Sequence, residues 1–374
     1  MIQVRQVSNR QMLKAFIDFP HELYKYDDNY VPELFIAQRD LLTPGKHPFH
    51  NHSQTQLFLA YQNGLIRGRI AAILNRNHNQ FNQANDGFFG FFDTVEDHLV
   101  ADALFTSAEK WLAGKGARTS IGPVNFSTNE TCGMLVNGFV KPPVVMMPYN
   151  KPYYSTITER FGYSKKVDLI AYNIDAALYN DKPLVLMPVL EQRLKNKDIV
   201  FRKVELKNFR EEVRSLQVIY NQAWDKNLGF VPMTVEEFEH MAKDLKLILD
   251  PEFCVLAEHN GKAVGFSLCI PDINQVLRSI DRGRLLPTGF FKLLTRRKSI
   301  DGIRVLALGV LEGYRKLGIE TVLYGRIIQN CLNKKITKAE ASWILEDNYL
   351  MNKALTSINA VPYKTYRIYE KALV

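Results

Sequence analysis

Cysteine is scarce in this sequence. Four of 374 residues, Cys132, Cys254, Cys269 and Cys331, include no C-x-x-C pair and no metal-ligand spacing. This excludes a disulfide scaffold or zinc module and fits a reducing compartment. Long apolar runs are also missing. Nowhere do ~18 apolar residues run together, and the opening MIQVRQVSNRQMLKAFIDF has no apolar core followed by a small-residue cleavage site. Neither a spanning helix nor a secretory leader is expected, and the expected location is cytoplasmic. Blocks of one charge sign are absent, because 48 Lys and Arg against 39 Asp and Glu leave +9 spread along the chain. That balance favours anionic ligands such as nucleotides, cofactor phosphates or a lipid surface. Aromatic residues are not interleaved with basic ones as in single-strand binders, so no nucleic-acid partner is expected. HPFHNH (47–52) holds three histidines without a neighbouring acid or cysteine, and no metal is expected.

What is present reads as two halves. The length suits two domains, and 46% hydrophobic residues can bury real cores. LAYQNGLIRG (59–68) and LAEHNGKAVG (256–265) share L-A-x-x-N-G-x-x-x-G, each flanked by apolar alternation. Asn-Gly between such runs predicts a two-residue hairpin, because both turn positions need positive φ. The offset is 256 − 59 = 197, and Gly162 and Asn359, each expected at a left-handed helix end, are also 197 apart. Each half reads as a helical opening, the hairpin, a further strand, a long helix (about 97–114 and 316–333), a strand (about 117–125 and 338–346), a helix and a last strand. The expected fold class is α/β (α+β), with a mixed, mainly antiparallel twisted sheet flanked by helices in each half. The expected domains are 1–175 and 199–374, joined by a helix-containing linker at 176–198.

Residues 308–326, LGVLEGYRKLGIETVLYGR, pass from a strand through Tyr-Arg-Lys-Leu-Gly into a helical pattern. Two readings are open, a phosphate cradle or an ordinary glycine-capped turn. The first amides of a helix lack intrahelical partners, the dipole is positive there, and Gly318 lets a phosphate approach closely. Arg315 and Lys316 would add charge-assisted contacts.

This order of elements, with this junction, resembles the GNAT superfamily of acyl-CoA N-acyltransferases. That family has V-x-P-x-Y-R-x-x-G-x-G/A where a strand meets a helix, and Val310, Tyr314, Arg315, Gly318 and Ile319 fit it here. Glu312 replaces the usual proline, and Glu320 stands where the family has glycine or alanine. The resemblance implies acetyl-CoA or a longer acyl-CoA held by Leu308, Gly309, Val310, Tyr314, Arg315, Lys316, Leu317, Gly318, Ile319, Glu320 and Thr321, with Gly309 marking a bulge. The equivalent junction of the first half carries Asp93, Glu96, Asp97 and Asp102 and no glycine. Carboxylates there would oppose a diphosphate, so the first half resembles a degenerate GNAT domain in a tandem protein.

Acyl transfer to nitrogen needs a base, an acid and a polarised carbonyl. Glu346, near the end of the 338–346 strand, is the candidate base. Leu355 falls where the family has an acidic tyrosine, so Tyr349 is the candidate acid, with Tyr363 and Tyr366 as substitutes. In the first half, GPVNFSTNETCGMLVNGF followed by PPVVMMPYNKPYY offers an acceptor pocket from Asn125, Ser127, Asn129, Glu130, Tyr149 and Tyr153; a self-satisfied loop is the other reading. RGRLLPTGFFKLLTRRK (282–298) reads either as a loop packing its apolar side on the domain or as a surface for an anionic membrane. The expected activity is acyl-CoA-dependent transfer of an acetyl or longer acyl group, other than aminoacyl, to an amine on a small molecule or lipid-linked acceptor. The alternatives are a non-catalytic binding or regulatory protein, and acyl or aminoacyl transfer to a lipid or cell-wall precursor.

Overall fold

A computed structural model describes residues 1–223 and 230–373. In chain order the strands are β1 (Ile2–Gln6), β2 (Gln54–Gln62), β3 (Leu65–Leu74), β4 (Asp86–Thr94), β5 (Thr119–Gly122), β6 (Met134–Asn137), β7 (Ser164–Asp175), β8 (Ile199–Lys203), β9 (Cys254–His259), β10 (Lys262–Pro271), β11 (Gly302–Val310), β12 (Lys338–Leu345) and β13 (Val361–Ala372). The helices are α1 (Arg10–Leu23), α2 (Phe35–Leu42), α3 (Arg76–Asn82), α4 (His98–Ala113), α5 (Tyr153–Arg160), α6 (Lys182–Lys195), α7 (Phe209–Ala223), α8 (Val235–Lys246), α9 (Asn274–Leu277), α10 (Phe290–Arg296), α11 (Ile319–Lys334) and α12 (Tyr349–Ser357).

The chain forms two compact units. The first holds Met1–Leu169, Asn274–Lys298 and Lys364–Val374, and the second holds Ile170–Ile273 and Ser299–Tyr363. These units are discontinuous, unlike the division expected at 175 and 198. The reasons are local. Residues 365–372 of β13 pair with β5 and β6, which ties the last strand to the first unit. Helix α6, expected in a linker, packs on α11 of the second unit, where a Cβ at Gly325 would lie 2.8 Å from the Met187 Cβ.

Strands of the first unit run β1-β2-β3-β4-β5-β13-β7, with β6 also on β13. Those of the second run from the C-terminal half of β7 through β12-β11-β10-β9 to β8. The two Asn-Gly turns form as the sequence predicts. Asn63 and Gly64 have φ of 53° and 79°, and Asn260 and Gly261 have 51° and 73°. Each hairpin also carries a one-residue bulge just before its second glycine, at Arg67 and at Val264. Gly162 (φ 98°) and Asn359 (φ 61°) are left-handed as expected.

Each unit has a parallel strand pair, β4 with β5 and β11 with β12. The pairs differ beyond their shared start. The β4–β5 ladder covers only 86–88 with 119–121, and backbone closes the space after it: the Val124 N–H donates to the Phe89 carbonyl at 2.8 Å. The Phe91 N–H donates to Asn125 Oδ1 at 2.7 Å. A Cβ at Gly90 would lie 2.2 Å from the Val124 carbonyl oxygen. The β11–β12 ladder ends at Val305 with Ala341, and among the described residues no ladder continues beyond it on that edge of β11.

Gly90→Ala is therefore expected to lower the unfolding free energy by ~1–3 kcal/mol, since backbone must shift. Gly313→Ala, with nothing within 4 Å of the added atom, is the control and should change little in denaturant titration.

Candidate functional site

In the second unit, β11 runs antiparallel to β10 and bulges at Leu306, because Leu268 faces Ala307 while Cys269 faces Val305. The bulge was expected at Gly309, which instead pairs regularly with Phe266. A bulge adds twist and bends its strand, and here it coincides with the end of the β12 ladder. From Leu306 to Val310 the β12-facing edge of β11 has no ladder partner. A cavity of about 150 Å³ occupies the gap. Its walls are largely aliphatic, among them Ile174, Leu306, Leu308, Ile327, Ile344 and Leu355.

At the end of β11 the chain makes a short turn at Glu312–Tyr314 and passes through Lys316 (φ 65°) and Gly318 (φ 97°) into α11. Gly318 is the N-cap, and no side chain caps the helix. Among the described residues, the six amides of Lys316, Leu317, Gly318, Ile319, Glu320 and Thr321 form no hydrogen bond. The first backbone bond after them is from Val322 N–H to the Gly318 carbonyl. Arg315 and Lys316 are exposed, and Arg315 Nε also donates to the Val310 carbonyl at 3.1 Å. The Tyr314 hydroxyl bonds His259 Nδ1 at 2.9 Å, so it anchors the turn. The residues present thus fit an anionic diphosphate: a run of unpaired amides, a positive helix end and two cations. In the first unit the matching helix α4 is closed, since Asp97 accepts the Leu99 N–H at 2.9 Å.

Glu320 sits one turn before Tyr324, and the Tyr324 hydroxyl contacts Met351 Sδ at 3.2 Å on the cavity wall. Burial, then the Glu320 charge, pushes the Tyr324 phenol up to about 12. Sequence reasoning passed over Tyr324 because it looked for a phenol on α12. Leu355 there is buried in a small apolar core with Tyr172 and Ala341. Glu346 lies just past the end of β12, exposed, and Tyr349 is 71% exposed; neither lines the cavity. Glu340 and Ser342, on the same strand, are buried in a network in which Ser342 Oγ and Tyr363 donate to Glu340 and Arg304 Nε donates to Ser342 Oγ.

The first unit holds a second cavity of about 140 Å³, more polar than the first. Asn125 and Tyr149 line it as expected. Ser127, Asn129, Glu130 and Tyr153 do not: Ser127 Oγ accepts the Asn129 N–H, Glu130 faces His47 at 3.7 Å, and the Tyr153 hydroxyl donates to the Thr94 carbonyl at 2.7 Å. The other lining groups were missed because they lie far apart in sequence. Arg69 and Asp93 form a buried ion pair at 2.8 Å. Tyr24 donates to Asp93 at 2.8 Å and meets the Tyr154 hydroxyl at 2.9 Å. Tyr30 bonds His21 Nδ1 at 2.9 Å, and Tyr149 donates to Asp27 at 2.8 Å. Glu33 also lines this cavity.

No family model matches the chain. It is 36% identical over 379 residues to Protein YghO of Escherichia coli (strain K12), covering 99% of this chain and 95% of that protein. It is 34% identical over 384 residues to the bacterial ceramide synthase of Caulobacter vibrioides (strain NA1000 / CB15N), covering 100% and 98%. Among solved structures, a tandem GNAT protein from the clavulanic acid biosynthesis pathway superposes with a TM-score of 0.60 at 9% identity, covering 100% of this chain and 99% of that one. That likeness shows the fold.

Burial, then Arg69, holds the His21 imidazole down to about 4 from an ordinary 6.5. The folded chain therefore keeps His21 neutral where the unfolded chain takes up a proton. Stability from this source is full above pH 6.5 and is lost as pH falls toward about 4. The expected slope is ~1.4 kcal/mol per pH unit. Urea titrations at several pH values should show it, and His21→Gln should flatten it.

Proposed function

The chain belongs to the family of Protein YghO and the bacterial ceramide synthase and has the GNAT fold, and from that premise we propose that it is an acyl-CoA-dependent N-acyltransferase. The donor is bound by the second unit, and the acceptor amine by the first-unit cavity. The observation that carries this reading is the coincidence of six unpaired amides at the start of α11 with an aliphatic cavity opening where β11 leaves β12. A ceramide is a long-chain amino alcohol whose nitrogen carries a fatty acyl group, so the relative's name denotes acyl transfer to an amine. The aliphatic cavity supports a donor with a long acyl chain over acetyl-CoA.

When bound, the acyl-CoA supplies a thioester carbonyl for attack by a neutral amine. The chain's own residues do the rest. The amides of 316–321, with Arg315 and Lys316, hold the diphosphate. The unpaired β11 edge after Leu306 offers backbone groups to an extended donor. The aliphatic walls exclude water, and the Tyr324 hydroxyl at the cavity wall is a hydrogen-bond donor for the departing thiolate, which takes up the proton that the amine releases. Glu320 opposes binding, as a carboxylate in the first turn of α11. The exposed positions of Glu346 and Tyr349 favour the second reading, a binding protein without turnover.

A lipid acceptor is supported by the segment 282–298. The expectation that its apolar side packs on the domain is not met: Leu286, Phe290, Phe291 and Leu294 are 80%, 50%, 65% and 62% exposed. The segment carries six cations and no acid. Exposed aromatic and aliphatic side chains beside cations suit an anionic bilayer surface. Among the described residues no helix is long and apolar enough to cross a membrane.

Two outcomes are expected. Palmitoyl-CoA should raise the melting temperature by several degrees, since a ligand at ~100 times its Kd adds about 2.7 kcal/mol, and thiol should be released when a long-chain amine is added. Gly318→Glu, which adds an anion and a Cβ 3.2 Å from Leu190, should remove the shift. A shift without thiol release would leave the binding reading. Separately, the chain should co-sediment with phosphatidylglycerol vesicles more than with phosphatidylcholine vesicles, and Phe291→Glu with Leu294→Glu should reduce that binding at least tenfold.

A further inference from the structure

Among the described residues, the charged and phenolic groups lining the first-unit cavity are paired within the protein, with the exception of Glu33. Asp93 is held by Arg69 and Tyr24, Tyr30 by His21, and Tyr149 by Asp27; Asn125 Oδ1 accepts the Phe91 N–H. Glu33, among the described residues, has neither a hydrogen bond nor an ion pair, and its side chain is solvent-accessible. Its backbone is fixed at the foot of α2, because a Cβ at Gly283 would lie 1.8 Å from the Glu33 carbonyl oxygen. Although the residue is exposed at the cavity mouth, the protein mass packed around the carboxyl raises it, while Arg69 pulls it down and Asp93 pushes it up again. That is how a carboxylate behaves when it faces a cavity with protein mass around it and no counter-ion of its own.

The charges of the lining groups can be summed. Arg69 is matched by Asp93 and His21 is neutral near pH 7, which leaves Glu33 and a net charge of −1. The rings of Tyr24, Tyr30 and Tyr149 stand in the same wall, with Tyr24 stacked on Tyr30 at 4.7 Å and Tyr149 edge-on to Tyr24 at 5.7 Å. A lone carboxylate beside aromatic faces attracts a cation by charge and by the ring quadrupole. Apolar surface adjoins them at Ile17, Met147 and Leu277.

We infer that Glu33 is the ammonium-binding group of the acceptor site: the cavity takes the protonated head of a primary alkylamine, which pairs with the Glu33 carboxylate while its alkyl stem lies against Ile17, Met147 and Leu277. This deepens the acceptor half of the proposed function, in which the bound ammonium passes its proton to the Glu33 carboxylate before attacking as the neutral amine, and rests on that reading for its biological use, but the binding itself needs no acyl donor.

The test is isothermal titration of the full chain with decylamine, and with 1-decanol as the uncharged control, both below their micelle thresholds. Decylamine should bind at least tenfold tighter than decanol. Glu33→Gln should lose that preference, Glu33→Asp should regain part of it, and palmitoyl-CoA binding should be unchanged in both. Equal binding of amine and alcohol by the unaltered chain, or full amine affinity in Glu33→Gln, overturns the inference without recourse to a variant's folding in the first case. Amine selectivity lost in Glu33→Gln, in a chain that fails to bind palmitoyl-CoA even unaltered, upholds Glu33 and removes the donor reading instead.

Discussion

The parting of two parallel strands is the constraint on which the second unit depends. Parallel pairs are normally covered on both faces and continuous, yet β11 and β12 stop pairing at Val305 and Ala341 while both strands run on. The bulge at Leu306 makes this possible without breaking the β10 ladder, which resumes on the far side. An unpaired strand edge inside a protein costs free energy unless something meets it. Here it meets a cavity rather than another strand, so the cavity and the strand edge are two views of one feature.

The first unit answers the same problem differently. Its parallel pair is shorter, and the backbone of Val124 and the side chain of Asn125 satisfy the freed strand. Gly90 and Gly122 permit that approach, since a Cβ on either would lie within 2.5 Å of backbone oxygen. The gap is closed by backbone, and Asp97 caps the start of α4 through the Leu99 N–H. The two changes point the same way. What the first unit retains instead is a polar cavity walled by tyrosines and centred on the Arg69–Asp93 pair, whose buried charges are tolerable because hydrogen bonds surround them.

Much of this was legible in the chain. Both Asn-Gly hairpins, the left-handed Gly162 and Asn359, the helices at 98–113 and 319–334, and the cation-glycine junction are local features. Short-range sterics decide them: positive φ at a turn, a helix start without a capping side chain, alternation along a strand. The GNAT resemblance held for the fold. The catalytic candidates were less legible, because placing Glu346 on a strand face depended on a strand end that came one residue earlier, at Leu345.

By itself the sequence determined the elements, their order and the cation-glycine strand-to-helix junction at 314–321, because each depends on neighbours within a few residues. Only the tertiary structure decided which unit owns β13 and 274–298, where the bulge falls, and which side chains share a cavity. Tyr24, Glu33, Arg69, Asp93, Tyr149 and Tyr154 come together across more than a hundred residues. No spacing rule links them, since their meeting depends on how helices and loops pack over a sheet, and packing is a property of the whole chain.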